Sequence, residues 1–129
     1  MLSKLSAEQL DIIASDIEVR HGIVDRSIPI GTKQFKKMLC NAISEMYKTK
    51  GESLFRLTFW MRLAGFAKKK SLLWIIAKAQ YRRYSKKFQV RISCLNIGKG
   101  LHIVHDTNCY INAEKIGDFF TIYQSNNWF

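Results

Sequence analysis

The chain has 129 residues, 47% of them apolar, with 7 Gly and 1 Pro, which is enough for one compact unit and rules out a composition that stays disordered. Its 21 basic and 10 acidic side chains give a formal net charge of +11, a balance that attracts anions and excludes an acidic, solvating chain. No apolar run approaches the length of a membrane span, the longest being Leu72 to Ala77, and Glu8 and Asp11 interrupt the N-terminus where a signal peptide would need an apolar core.

In chain order, Ser6-Ala7-Glu8-Gln9 has the form of a capping box, and Leu10, Ile13 and Ile17 follow at helical spacing, so a first helix is predicted to end at Gly22. Pro29 and Gly31 mark a connecting loop. Thr32 then caps a second predicted helix, in which Phe35, Met38, Leu39, Ala42, Ile43, Met46 and Tyr47 form one apolar stripe, closed by Lys48, Lys50 and then Gly51. Ser53 is placed to cap a third helix running to about Phe66, with Leu54, Leu57, Trp60, Met61 and Ala64 on one face. Ser71 is placed to cap a fourth running to about Tyr84, in which Leu72, Ile75, Ile76 and Ala79 alternate with Lys78, Arg82 and Arg83.

The pattern changes at Phe88. Phe88, Val90 and Ile92 alternate with polar residues, and a hexad follows in which Ile97, Ile103, Ile116 and Ile122 recur, with Cys109 as a poorer fit between them. Two Ile-Gly pairs, at 97–98 and 116–117, stand nineteen residues apart. A six-residue period suits neither a helix nor a simple alternating strand, but it suits a solenoid with three sides of six residues and one small apolar side chain per side turned inward. The expected fold class is therefore α+β: a helical region over residues 1–88, then the first coils of a parallel β-helix over 89–129.

The run Ile97-Gly98-Lys99-Gly100-Leu101-His102-Ile103-Val104-His105, followed by Ile111-Asn112-Ala113-Glu114-Lys115-Ile116-Gly117, resembles the hexapeptide-repeat acyltransferases, in particular the serine acetyltransferase group and its relatives in surface-polysaccharide synthesis. These carry an Ile-Gly-x-Gly-Leu-x-Ile-x-His signature at the start of a left-handed parallel β-helix. Phe59-Trp60-Met61-Arg62-Leu63-Ala64 also resembles an aromatic-x-x-Arg-Leu-Ala segment in the helical part of the polysaccharide-associated members. The resemblance implies acetyl-CoA as co-substrate, serine or a sugar hydroxyl as acceptor, and a homotrimer where the β-helix is complete. It also implies further coils after Gln124, so the chain reads as cut short.

His105 matches the family's general base, which takes the proton from the acceptor hydroxyl as that oxygen attacks the acetyl thioester; imidazole suits the task because it titrates near working pH. The family sets a carboxylate about fifteen residues before this histidine, where the present chain has Val90. Asp106 is adjacent, but neighbouring strand residues point to opposite faces. Thr107 and Asn108 stand where glycines are usual in the family. His102 lies three residues before His105, yet no third ligand accompanies them, so no metal site is indicated.

Cys40, Cys94 and Cys109 are odd in number and have no CxxC spacing, which fits a reducing cytoplasm. Residues 53–88 hold ten basic side chains and no acidic one. Lys68-Lys69-Lys70 and Arg82-Arg83, interleaved with Trp74, Tyr81 and Tyr84, offer a surface for nucleic acid or for peripheral contact with an anionic membrane. No nucleic-acid fold signature accompanies them, so a solvated helix face is the simpler expectation. Beside acetyl transfer to serine, the alternatives are acetyl transfer to a sugar hydroxyl, an inactive truncated fragment, and a basic helical module that binds an acidic surface.

Overall fold

A computed structural model describes residues 2, 5–20, 23–49, 54–94, 96–103 and 109–122. Four helices come first: α1 (Ala7–Glu18), α2 (Lys33–Lys48), α3 (Leu54–Phe66) and α4 (Leu72–Phe88). Three of them start where a side chain answers an amide that the first turn leaves without a partner. Ser6 accepts from the Gln9 amide at 3.2 Å while the Gln9 side chain accepts from the Ser6 amide at 3.0 Å. Thr32 accepts from the Phe35 amide at 3.1 Å and Ser71 from the Trp74 amide at 3.2 Å. The expected stops at Gly22 and Gly51 and the expected cap at Ser53 lie outside the described residues.

Two of the helices depart from the sequence pattern. One face was expected for α3, but it buries two: Phe55, Phe59 and Leu63 join a core with α1 and α2, while Leu54 and Leu57 join a second core with α4 and the strands. Its apolar residues run almost all round, so periodicity could not isolate a single stripe. Helix α4 continues a turn past the expected end, and Gln89 closes it in the left-handed conformation with φ 55°. Phe88, expected in a strand, is therefore the last residue of the helix, and it is buried together with Tyr84 and Ala77. The apolar stripe read from the sequence, Leu72, Ile75 and Ile76, faces outward.

Six short strands follow: β1 (Val90–Ser93), β2 (Asn96–Ile97), β3 (His102–Ile103), β4 (Cys109–Asn112), β5 (Lys115–Ile116) and β6 (Thr121–Ile122). They pair in parallel as β1 with β4, β2 with β5 and β3 with β6, in a register that sets Val90 beside Cys109, Ile97 beside Ile116, and Ile103 beside Ile122. Each pairing keeps the nineteen-residue offset of the Ile-Gly repeat. The expected left-handed parallel β-helix is nevertheless corrected. Among the described residues each sheet has only two strands, four of the six strands are two residues long, and no stacked coils form. The fold is four helices with short parallel strand pairs. The physical reason lies in what covers the hexad: Ile103 and Ile116 pack in one core with Leu54, Leu57, Tyr84 and Phe88, so helices supply the burial that a solenoid would take from further repeats. Among the described residues no helix is long and apolar enough to cross a membrane.

Candidate functional site

The segment from Ile97 to Ile103, the core of the signature, is held by charged residues from α1 and α3. Helix α1 turns Asp16 inward between Ile13 and Ile17, and α3 turns Arg62 inward beside Leu63. The two side chains are 2% and 5% exposed and form a bidentate pair, with Arg62 Nε donating to Asp16 Oδ2 at 2.8 Å and Nη2 to Oδ1 at 3.1 Å. The same guanidinium donates to the Ile97 carbonyl at 2.9 Å and to the Gly98 carbonyl at 2.5 Å. Asp16 Oδ1 in turn accepts from the Leu101 amide at 2.9 Å. Just past the α1 cap, the buried Arg20 donates from Nη2 to the Ile103 carbonyl at 2.6 Å.

Burial pushes the Asp16 carboxyl above the ordinary aspartate value, opposed by the Arg62 hydrogen bonds and charge and by the Leu101 and Gly100 amides. Such a pair contributes little net stability, because taking two ions out of water offsets much of their attraction. Its effect is positional: two bonds donated by Arg62, to the Ile97 and Gly98 carbonyls, and one accepted by Asp16, from the Leu101 amide, fix the path of Ile97 to Leu101 against the helices.

The two Ile-Gly copies lock together on the outer side of this segment. The Gly98 amide donates to the Ile116 carbonyl at 2.7 Å, the Lys99 amide to Asp118 Oδ1 at 3.1 Å, and the Phe119 amide to the Lys99 carbonyl at 2.7 Å. A Cβ on Gly98 would stand 2.7 Å from both the Asp118 nitrogen and the Gly117 carbonyl carbon, so only glycine fits there. Gly100 has φ 74° and lies under the Phe119 ring, a second position closed to other residues. Lys99 Nζ reaches back to Asp11 Oδ2 at 3.3 Å. An open cleft of about 230 Å³ runs along this seam, lined by Ile97, Gly98, Ile116 and Gly117 with the polar Asn96, Lys115 and Asp118. It is below the range usual for cofactor pockets and is sized for a small polar guest.

His105, with Asp106, Thr107 and Asn108, lies outside the described residues. His102 is half-buried on β3, its amide donating to the Phe120 carbonyl at 3.1 Å. Val90 is fully buried on β1 beside Cys109, so an apolar, core-facing side chain stands where the family has its orienting carboxylate. Among the described residues no three His, Cys, Asp or Glu side chains group as a metal site.

Sequence reasoning quoted Arg62 only as part of a motif and missed Asp16 and Arg20 altogether. A signal was present: Arg56 and Arg62 are the only charges in α3, and Asp16 interrupts the apolar spacing of Ile13 and Ile17. A charge on a core-facing position implies a partner. Compared with family models, curated proteins and solved structures, the chain matches none.

Proposed function

We propose that this chain serves acetyl-CoA-dependent O-acetyl transfer of the serine acetyltransferase type, with serine as the leading acceptor and a sugar hydroxyl as the second. The observation that supports it is the junction at Arg62. The two segments on which the resemblance rests, Phe59 to Ala64 and Ile97 to His105, are far apart in the chain, yet one guanidinium from the first bonds two carbonyls of the second. Independent chance matches would have no reason to meet in a part-buried contact of two directed hydrogen bonds.

In the proposed reaction His105 accepts the proton of the acceptor hydroxyl while the oxygen attacks the thioester carbonyl. Collapse of the tetrahedral intermediate expels the CoA sulfur, which leaves as the thiol after taking up a proton, and forms the acetyl ester. Val90 offers no hydrogen bond to the imidazole from its position, so any orienting group differs from the family's. A cytoplasmic setting agrees with free cysteines at Cys40 and Cys94.

The test is CoA release from acetyl-CoA, followed by a thiol reagent, with serine and separately with a neutral sugar that offers only hydroxyls. Release above background that falls about a hundredfold or more in His105→Ala is the expected result. Equal release by the His105→Ala protein would overturn the assignment of the base, and no release with either acceptor would overturn acetyl transfer itself.

A further inference from the structure

Helix α4 carries an aliphatic surface that its own fold does not use. Leu72 is 74% exposed, Ile75 53% and Ile76 43%, and Ala79 follows on the same line at helical spacing. Neither core includes any of these four, because α4 buries the opposite side through Ala77, Tyr84 and Phe88. Continued by the same spacing, the exposed line reaches Arg82, Arg83 and Lys86, all exposed. Immediately before the helix stand Lys68, Lys69 and Lys70, also exposed. The apolar patch is thus bracketed by cations at both ends, within a segment that has no acidic side chain.

We propose that this face of α4 docks on a membrane surface rich in anionic lipid, with Leu72, Ile75 and Ile76 entering the boundary between headgroups and acyl chains and the flanking Lys and Arg lying on the headgroups. The helix has 17 residues and is about 25 Å long. Cations ahead of the patch and at its far end would hold such a helix parallel to the surface, in the manner of interfacial helices that lie on a bilayer without crossing it.

Charge and shape favour this occupant over others. A second copy packed on the same face would bring two strongly positive surfaces together. Nucleic acid would call for flat rings on which bases stack, and the exposed tips here are aliphatic. The nearby aromatics are committed elsewhere: Tyr81 donates to the Ile92 carbonyl and accepts from its amide, Tyr84 is buried, and Lys78 lies over the Trp74 ring at 5.1 Å.

The experiment is co-sedimentation of the whole chain with vesicles of equimolar phosphatidylserine and phosphatidylcholine, and with phosphatidylcholine alone. The parent should pellet with the anionic vesicles and stay in solution with the neutral ones. Ile75→Ser with Ile76→Ser should weaken partition about tenfold or more, since two aliphatic side chains no longer leave water. Lys68, Lys69 and Lys70 changed together to Gln should weaken it about tenfold or more and flatten its salt dependence. All five substituted positions lie clear of the cores, and circular dichroism with thermal melting checks that each variant stays folded like the parent. Failure to bind anionic vesicles overturns the proposal. Binding to both vesicles and heparin that the Ile75 and Ile76 changes leave untouched also overturns it, because charge alone would then explain the attraction and an acidic macromolecule would be the better partner.

Discussion

The Arg62 guanidinium spends four of its five N–H donors on acceptors in two different parts of the chain, and this decides what its removal would do. Arg62→Ala leaves Asp16 as an unpaired charge in the interior and should cost about 3–5 kcal/mol, read from urea unfolding. Replacing both partners by apolar residues is often harmless for a buried ion pair, but not here. Asp16→Leu with Arg62→Met would still strand the Ile97 and Gly98 carbonyls and the Leu101 amide, and should remain destabilised by at least about 1–3 kcal/mol for each group left without a partner. A double variant as stable as the parent would mean that these backbone bonds carry no weight.

Asp11 supplies the contrasting case. Burial raises its carboxyl, but hydrogen bonds from Arg26 and Lys99, with their charges, outweigh that and hold it below the ordinary value. A carboxyl depressed on folding stabilises the protein above its unfolded value, about pH 4, and that contribution drains away as the pH falls through the lower folded value. Asp16, raised by burial, contributes in the opposite sense, most at low pH and less as the pH rises through its folded value. The stability gap between the parent and Asp11→Asn should therefore be open at neutral pH and close on acidification below about pH 4, in melts taken across that window. A gap that does not change with pH would show that Arg26 and Lys99 do not act on Asp11 through its charge.

At the scale of the element, helix starts were legible and helix orientation was not. Ser6, Thr32 and Ser71 signal caps because capping is settled within four residues. Which side of α4 faces inward is settled by residues on other elements, so periodicity found the stripe of Leu72, Ile75 and Ile76 but not its direction. The buried side is the one carrying Ala77, whose small side chain packs within the core that also holds Phe59 and Leu63. Ala77→Leu should therefore overfill that contact and cost about 1–3 kcal/mol, while Ile76→Ser, one residue earlier, should stay within about 0.5 kcal/mol of the parent. The reverse order in urea unfolding would put the inner face on the wrong side.

For the molecule as a whole, the nineteen-residue repeat predicts which strand segments lie side by side, and Ile97 with Ile116 and Ile103 with Ile122 are paired in that register. What the repeat could not tell is what covers the inward Ile residues, because a hexad marks a buried side chain without naming its neighbours. Leu54 and Leu57 of α3 and Tyr84 and Phe88 of α4 do so here, and Trp60 of α3 packs against both cores. The charged clamp escaped for a related reason: Asp16 and Arg20 lie far in sequence from Arg62 and all three from the signature segment, and only the fold brings them together. Helices and strands that share one core and one buried ion pair should unfold together. Ile103 is fully buried and its carbonyl accepts from Arg20, so Ile103→Asp places an unpaired carboxylate in the second core and should cost at least about 3 kcal/mol. Because that core is half helical, the loss should lower the midpoint of the helical circular dichroism signal and the exchange protection of the β1 and β4 amides together, in a single transition. If the helical signal instead melted as in the parent while the strand amides lost their protection, the strand pairs would be an independent unit resting on the helices, and the shared core would not couple them.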